Sequence, residues 1–324
     1  MKQSDIKDIV EKELAENPEN IEKVERGLKQ KTYRITVGNN KYILQLSDKV
    51  GEEDNGLERN IKAYQQLAET EIPVPALVTD EVKVYKKKSK QWKYYICECL
   101  RGENLEHQMT DDLTAESGRL LSQLHDFAEY EKSGWLVPDE EGFWVASFEE
   151  GSFKQYLLNE WQERIEILEE EGWNEVIEKS KNFYNKYKDE IPEDVDPVFC
   201  PNDFSTDNLL VKNGEITGVI DFDMAYAGHS YRDLVKSANA FWMINPEPES
   251  GMRELFYEGY QQGKELDNSF WRLEPIYRVE TITQTVASLV KMNHFNQEEK
   301  EFYQKHLPRT IEEAEGDLEK LKRD

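Results

Sequence analysis

The residues best suited to chemistry lie between positions 198 and 223, where polar side chains follow short apolar runs. Asp203 comes after the first run, Asn208 stands five residues later on the turn into the second, and Asp221 closes the third. Carboxylate and amide groups placed at neighbouring strand ends can converge on one point. Such hard oxygen ligands suit Mg²⁺, which binds through one or two carboxylates together with substrate phosphates. The spacing therefore predicts a magnesium site that handles phosphate groups.

The same spacing matches the arrangement used for phosphoryl transfer, in which an aspartate accepts a hydroxyl proton while an asparagine and a later aspartate hold metal. Taken alone, D-x-x-x-x-N is common in loops, and the IDFD sequence at 220–223 could simply cap a strand end. Their combination with GHSYRDL at 228–234, and with a strand exit about a hundred residues upstream, is more specific than either motif alone.

The segments on either side predict the elements that would position these residues. Alternating apolar residues around a Gly-Asn turn predict a β-hairpin over residues 31–46. Residues 57–69 have a helical pattern, and residues 74–100 supply two or three more strands. From about residue 111 the pattern is mostly helical, interrupted by the short apolar runs at 198–223. The order of elements predicts an α+β protein: a small antiparallel sheet first, then a mostly helical part.

These motifs resemble those of the aminoglycoside phosphotransferase and choline kinase superfamily. The resemblance rests on D-x-x-x-x-N followed by IDFD, on GHSYRDL, on the helical RLLSQLHDF that contains His125, and on YYICECLRGENL as a hinge. It spans roughly residues 24–234 and is most specific in its C-terminal part. It implies a protein-kinase-like two-lobed fold with an N-terminal lobe over residues 1–97, a hinge over 98–104 and a helical lobe over 105–324, with nucleotide in the cleft between the lobes.

The resemblance also implies a role for each acidic residue of the motifs. Asp203 would be the catalytic base, and Asn208 and Asp221 would be metal ligands. Asp223 would assist them, and Asp233 would be a structural acid. The cofactors implied are ATP and Mg²⁺. His125 is interpreted as a buried or hydrogen-bonded helix residue rather than a catalyst.

Nucleotide contacts are expected from the sheet and the hinge. Strand alternation places Ile43 and Gln45 on one face of their strand, and Leu44 on the other. The resemblance implies that the face with Gln45 is directed towards the nucleotide. The backbone groups at Glu98 and Leu100 would meet adenine. The residues assigned to nucleotide binding are Gly27, Lys31, Ile43, Gln45, Glu98 and Leu100.

Three positions depart from the family pattern. Pro201 stands where the family has a histidine, and its fixed φ could replace the histidine by rigidity. Gln45 stands where the family has a basic phosphate-binding residue, so Lys29 or Lys31 could supply the missing charge. Asn60 aligns with the family's helical glutamate, two residues from Glu58, which is a weaker substitute.

The function expected is transfer of the ATP γ-phosphoryl group to a hydroxyl of a small molecule, namely an aminoglycoside, an amino alcohol or a sugar-like acceptor. One alternative is a nucleotide-binding pseudokinase with a regulatory or scaffold role. Another is a helical protein in which Asp221 and Asp223 bind Ca²⁺, although the D-x-D-x-D-G loop is missing.

Composition narrows the partners and the compartment. Acidic residues outnumber basic ones by 67 to 41, so the net charge is −26. Such a surface repels nucleic acid and anionic lipid, which argues against both as partners. No apolar run reaches the roughly 18 residues of a membrane span, and three cysteines without metal-ligand spacing favour a reducing compartment, so a cytoplasmic location is expected.

Two features keep competing interpretations. The acidity is either a salt-adapted surface or an attraction for a cationic substrate. An aromatic group in the helical part either belongs to the core or lines a cation pocket: Phe241, Trp242, Trp271 and Tyr277. The sequence leaves monomer or homodimer undetermined.

Overall fold

The chain is seen in a computed structural model that describes residues 1–24, 31–48, 50, 55–243, 251–292 and 297–322. It forms two compact units, and neither is continuous in sequence. The first comprises residues 1–108, 136–144 and 206–225, and the second comprises 109–135, 145–205 and 226–324. The lobe boundaries expected at 97 and 104 stay a prediction.

Twelve strands lie in the described part of the chain, most of them short. Their bounds are β1 (Asn20–Val24), β2 (Lys31–Val37), β3 (Asn40–Ser47), β4 (Lys83–Lys87), β5 (Lys90–Glu98), β6 (Glu103–Asn104), β7 (Gly134–Pro138), β8 (Phe143–Ser147), β9 (Pro197–Cys200), β10 (Leu209–Lys212), β11 (Glu215–Val219) and β12 (Tyr226–His229).

The α-helices of the described part dominate the second unit. Their bounds are α1 (Gln3–Leu14), α2 (Gly56–Leu67), α3 (Asp111–Phe127), α4 (Phe153–Glu170), α5 (Asn174–Tyr187), α6 (Ser230–Trp242), α7 (Met252–Tyr260), α8 (Asn268–Lys291) and α9 (Gln297–Leu321). No helix among the described residues is both long and apolar enough to cross a bilayer.

The first unit is built on a five-stranded antiparallel sheet with the order β1-β2-β3-β5-β4. The hairpin predicted over residues 31–46 is present, and its register sets Lys31 opposite Leu46 and Val37 opposite Asn40. Gly38 lies in the turn with a φ of +57°, a conformation that glycine adopts without a Cβ clash.

The two faces of this sheet carry different side chains. Leu44 and Leu46 join a fully buried apolar cluster with Ile6 and Ile9 of α1, and burying each such side chain contributes about 1.5–3 kcal/mol. Gln45 lies on the opposite face, as the alternation predicted. That face receives α2, whose Tyr64 ring meets the Tyr95 ring of β5 edge-to-face at 6.4 Å.

A second sheet of the first unit has the order β11-β10-β6. Its β10–β11 hairpin turns through Asn213 and Gly214, with φ values of +57° and +80°, as an Asn-Gly turn requires. The third apolar run of the sequence ends as a strand at Val219. Asp221 therefore lies two residues beyond the strand that was expected to end on it.

The second unit contains the helices predicted from residue 111 onwards. Thr110 and Ser152 cap α3 and α4, their hydroxyls accepting from the backbone amides of Leu113 and Gln155. Three strands of this region were not predicted, namely β7, β8 and β12. Strand β12 pairs with β9 and with the start of β7, and pairing between residues so far apart in sequence leaves no local periodicity.

Candidate active site

The hairpin β10–β11 brings two of the predicted metal ligands together. Asn208 directly precedes β10, and its carbonyl accepts a hydrogen bond from the amide of Ile220 at 2.9 Å. Asp221 follows Ile220 in the chain, so the asparagine and the aspartate stand side by side at the open end of the hairpin. Amide and carboxylate oxygens in such a pair fit the ligand preference of Mg²⁺.

Helix α2 holds Asp221 in an unusual backbone conformation. The residue has a φ of +67°, which is uncommon for a side chain other than glycine. Its amide donates to the hydroxyl of Tyr64 at 3.1 Å, and its Oδ1 accepts from Nδ2 of Asn60 at 3.3 Å. Asn60 is fully buried, and its Oδ1 also accepts from the amide of Phe222. These hydrogen bonds compensate for the left-handed turn and fix the direction of the carboxylate.

The same helix also fixes Asp223. Arg59 donates through Nη1 to the carbonyl of Asp223 and through Nε to the carbonyl of Leu136 at 2.8 Å. Asp221 and Asp223 are partly exposed, whereas Phe222 between them is buried. Both carboxylates therefore belong to a segment that is bound along its backbone by one helix.

A neutral set of side chains connects Gln45 with this segment. Gln45 accepts from the hydroxyl of Tyr95 at 2.9 Å, and the Tyr95 ring packs on Tyr64, which reaches Asp221. Burial, with Cys97 and Asp221 nearby, raises the pKa of Tyr64 well above its usual value, so the hydroxyl keeps its proton. The sequence singled out Gln45 but neither tyrosine.

An ion pair between α2 and the sheet is present, at other positions than the family pattern uses. Glu58 Oε1 lies 2.7 Å from Nζ of Lys93 on β5, and Lys93 pairs in register with Ser47. The second oxygen, Glu58 Oε2, is buried and has no hydrogen-bond partner within the described part of the chain. Sequence analysis predicts Glu58 only as a weak substitute for the family's glutamate, and it does not predict Lys93 as the partner of Glu58.

Two further residues predicted to bind nucleotide, Glu98 and Leu100, lie at the end of β5 and just beyond it. The amide of Glu98 donates to the carbonyl of Ala76 at 2.8 Å, whereas the next amide, that of Cys99, donates to Lys41 on β3 at 3.0 Å. Because backbone polar groups alternate in direction along a strand, the Glu98 carbonyl faces away from β3. Leu100 follows, partly buried.

Lys31 and Ile43 lie on the neighbouring strands β2 and β3. Lys31 begins β2 and forms an exposed ion pair with Asp48 at 2.9 Å. Ile43 is partly buried and pairs with Cys97. Gly27 and Lys29 lie outside the described residues.

In the second unit, the turn that carries Asp203 is held by a buried acid. Asn202 has a φ of +62°, and its amide donates to Oδ1 of Asp233 at 2.9 Å. The other oxygen of Asp233 lies 3.1 Å from Nε2 of His125, and both side chains are fully buried. Asp203 itself is exposed. Asp233 thus has the structural position expected of it, and a hydrogen-bonded turn follows Pro201.

The cluster around Asp233 does not resemble a metal site in its bonding. Ligand atoms of His125, Cys200 and Asp233 lie within 4.8 Å of one another. However, Nδ1 of His125 is 2.8 Å from the hydroxyl of Tyr260, so both ring nitrogens are engaged. Burial, with Asp233 nearby, raises the pKa of the Cys200 thiol. Asp233, held by His125, therefore fixes the turn of Asn202 and Asp203.

Lys236 is a candidate that sequence reasoning missed. Its Nζ donates to Oδ1 of Asn202 at 2.9 Å. Burial and the neighbouring Arg232 lower the pKa of Lys236 to about 8, against the opposing attraction of Asp203 and Asp233. A signal was available, because Lys236 lies three residues after Asp233 on α6, and residues at that spacing share a helix face.

Solved structures with the same fold are enzymes that act on small molecules. A thermostable mutant of aminoglycoside phosphotransferase APH(4)-Ia aligns with a TM-score of 0.68 at 15% identity, over 95% of this chain and 99% of that one. Spectinomycin phosphotransferase APH(9)-Ia, solved with ADP and spectinomycin, gives 0.62 at 16%, over 98% of each chain. A microcompartment-associated aminopropanol kinase gives 0.59 at 18%, over 96% and 95%.

These alignments confirm the kinase-like α+β fold, with an antiparallel sheet in the N-terminal region and a helical C-terminal part. At the level of sequence, residues 20–270 match the profile of the phosphotransferase enzyme family. The match covers the sheet, the paired Asn208 and Asp221, and the turn of Asp203. The chain therefore belongs to the phosphotransferase enzyme family.

Proposed function

We propose that this protein transfers the γ-phosphoryl group of ATP, in a Mg²⁺-dependent reaction, to a hydroxyl of a small molecule. The observation that carries the proposal is the side-by-side placement of Asn208 and Asp221 at the end of one hairpin. Family membership supplies the reaction class. The arrangement of oxygen ligands is the one expected of a group that holds a phosphate-bound cation.

Asn208 and Asp221 are proposed to hold Mg²⁺, with Asp223 assisting. When bound, the ion would neutralise charge on the phosphate oxygens. Asn60 and Tyr64 keep the Asp221 carboxylate pointed in one direction. The proposed nucleotide contacts are those of Ile43 and Gln45 on β3, the backbone at Glu98 and Leu100, and Gly27 and Lys31.

Asp203 is proposed to be the catalytic base. It orients the acceptor hydroxyl and accepts its proton as the oxygen attacks the γ-phosphorus, while the bond from that phosphorus to the bridging oxygen breaks and ADP leaves. Its exposure leaves the carboxylate accessible to an acceptor, and the bond from Asn202 to Asp233 makes the adjoining backbone rigid. Lys236, hydrogen-bonded to Asn202, places a positive charge in the same region.

The acceptor is proposed to be an amino-containing or sugar-like alcohol. Proteins of the same fold include an aminoglycoside phosphotransferase and an aminopropanol kinase, and a net charge of −26 favours the approach of a cationic acceptor.

The pseudokinase alternative rests on Gln45 and Pro201. The contacts of Gln45 argue against a lost phosphate-binding site at this position. The amide oxygen of Gln45 accepts from Tyr95, Tyr95 packs on Tyr64, and Tyr64 accepts from the amide of Asp221. Pro201 likewise leads into a turn that is tied to Asp233 by the amide of Asn202.

The decisive experiment is a Mg·ATP phosphorylation screen across aminoglycosides, amino alcohols and sugars, followed by two variants. Asp203→Asn keeps shape but loses the proton acceptor. We expect it to lower single-turnover phosphoryl transfer by about 10²–10⁴-fold while Mg·ATP affinity, measured by calorimetry, stays near wild type. Asp221→Asn removes a proposed metal ligand, so we expect it to weaken both Mg·ATP affinity and transfer.

Asp112→Asn is the matched control, because Asp112 is an exposed aspartate on α3 without a proposed role. Wild-type turnover by Asp203→Asn would show that Asp203 is not the base. Nucleotide binding without any phosphorylated acceptor would favour the pseudokinase.

A further inference from the structure

A cavity of about 660 Å³ opens among helices α6, α7, α8 and α9 of the second unit. Small-molecule sites usually enclose about 300–1,000 Å³ and combine apolar walls with a few polar groups. The apolar part of this wall includes Trp242, Tyr257, Trp271 and Pro275. The cavity therefore has the size and the lining of a site for a small ligand.

Arg253 is the unusual residue of this cavity. Its side chain lines the wall, although the residue is only 9% exposed. Nε donates to Oδ1 of Asn239 at 2.7 Å, and the guanidinium lies 4.0 Å from the ring centre of Trp242. Nη2 is buried and has no hydrogen-bond partner among the residues that the structure describes. Among the described residues, no carboxylate forms an ion pair with Arg253.

The arginine and lysine side chains of the wall other than Arg253 form ion pairs. Each basic one has an acidic partner in the same wall: Arg278 with Glu274 and Asp317, Arg309 with Glu313, and Lys320 with Asp317. Glu254 also lines the cavity, but it is exposed to solvent. Arg253 is thus a buried positive charge that Glu274 and Glu254 attract, but with which no carboxylate of the described wall forms a direct ion pair.

An unpaired buried charge is unfavourable, because burial removes it from water without compensation. The same effect, increased by the nearby Arg278, lowers the pKa of Arg253 to about 10. Arginine is also the side chain whose planar donors best match carboxylate and phosphate groups. An anion placed against the guanidinium would relieve the unfavourable burial.

Of the four aromatic residues that one interpretation of the sequence placed in a cation pocket, Trp242 and Trp271 line this cavity. Phe241 and Tyr277 are fully buried and do not line the cavity. Trp242 does line it, but Arg253 already covers its ring. A cationic ligand would therefore meet a cation at the aromatic face.

We propose that this cavity is a binding site for a small organic anion, whose carboxylate or phosphate group pairs with Arg253. The apolar or aromatic body of the ligand would lie against Tyr257 and Trp271. The site is additional to the proposed phosphotransferase function and does not depend on it.

The test uses calorimetry with four probes of similar shape: benzoate, phenyl phosphate, benzylamine and benzyl alcohol. We expect either anion to bind at least tenfold more tightly than benzylamine and benzyl alcohol. The comparison of benzoate with phenyl phosphate tells which acidic group the site prefers. Arg253→Gln should weaken anion binding at least tenfold. Arg309→Gln, which removes an exposed and paired arginine of the same wall, should leave it within twofold of wild type.

Two further measurements protect the conclusion. If Arg253→Gln does not fold, the wild-type ranking of the four probes decides alone, and benzylamine binding as tightly as benzoate overturns the proposal. Asp221→Asn tests whether the anion binds in this cavity or at the proposed nucleotide site. Because Asp221 does not line the cavity, the anion affinity of this variant should equal that of wild type. Anion binding that is lost in Asp221→Asn but kept in Arg253→Gln would also overturn the proposal.

Discussion

The two units hold their proposed catalytic groups by different kinds of interaction. In the first, Asp221 is positioned by the neutral side chains Asn60 and Tyr64. In the second, the turn of Asp203 is positioned by ionisable ones: Asp233 accepts from its backbone, and Lys236 donates to Asn202. Asp221 is therefore held by neutral hydrogen bonds, whereas the turn of Asp203 is held in part by Lys236, whose pKa is lowered to about 8.

This difference has a physical consequence. Neutral hydrogen bonds depend weakly on salt and pH, so they keep a carboxylate oriented whether or not a cation is bound. Buried charges are strong only while every partner is present, because removal of one leaves another uncompensated. We expect variants of the second unit to lose stability, and variants of the neutral set to lose metal and nucleotide affinity instead.

The largest effect is expected from Asp233→Ala. The change leaves two buried groups without an acceptor, the amide of Asn202 and Nε2 of His125. Each loss costs about 1–3 kcal/mol, so we expect the free energy of unfolding in urea to fall by about 2–6 kcal/mol. Asp126→Ala is the control, because it breaks only an exposed pair with Lys264, worth about 0–1 kcal/mol. Equal losses in the two variants would contradict a clamping role for Asp233.

Tyr64→Phe should have the next largest effect. It removes the hydroxyl that accepts from the amide of Asp221. Leaving that amide without an acceptor destabilises the folded segment by about 1–3 kcal/mol. Because the carboxylate would lose its fixed direction, we expect the Mg²⁺ concentration for half-maximal activity to rise about 5- to 100-fold. Tyr85→Phe, which removes a hydroxyl bonded to Asp8 elsewhere in the unit, should leave it unchanged. A loss of stability without a change in Mg²⁺ dependence would show that Tyr64 is only structural.

A pH dependence is expected from Lys236. Its pKa in the folded protein is about 8, below the ordinary 10.5. If activity needs the charged amine, kcat/KM should fall as pH rises through about 8, by about tenfold per pH unit beyond it. Lys236→Arg should remove that fall up to about pH 10, since arginine keeps its proton. A fall that persists in Lys236→Arg would assign it to another group.

The same pKa difference predicts that the stability of the fold rises with pH over a range in which activity falls. Between about pH 8 and 10.5 the unfolded chain binds the proton of Lys236 more tightly than the folded chain does. The unfavourable burial is therefore fully present below pH 8 and is relieved as pH rises through that range. Urea titrations of wild type and Lys236→Met at pH 7.5 and 9.5 would measure the contribution, and equal pH dependence in both would contradict it.

The smallest effect is expected from Lys31→Ala. The lysine is exposed and already paired with Asp48, so part of its charge is neutralised before any phosphate binds. We expect Mg·ATP affinity to fall about three- to tenfold by calorimetry, with stability within about 1 kcal/mol of wild type. Lys86→Ala, an exposed lysine on β4, is the control. Unchanged affinity in Lys31→Ala would show that Lys31 does not supply the charge that Gln45 lacks.

Much of the local structure was predictable because it depends on neighbouring residues. The hairpin around Gly38, the helices after residue 111 and the alternation that turns Gln45 away from Leu44 all follow from short-range periodicity. The strands β7, β8 and β12 were not predictable in this way. Each has four or five residues, and pairing partners distant in sequence are needed to identify β12 as a strand.

The family, the kinase-like fold and the spacing of Asp203, Asn208 and Asp221 could all be inferred from the amino-acid sequence, because these depend on residue types at fixed intervals. The surroundings of these residues became known only from the folded chain. Tyr64 was one aromatic residue among many until folding placed its hydroxyl on Asp221. Arg253 became notable only because it is buried in a cavity wall without an ion-pair partner among the described residues. Burial and hydrogen-bond partners depend on residues far apart in the chain, so no local pattern records them.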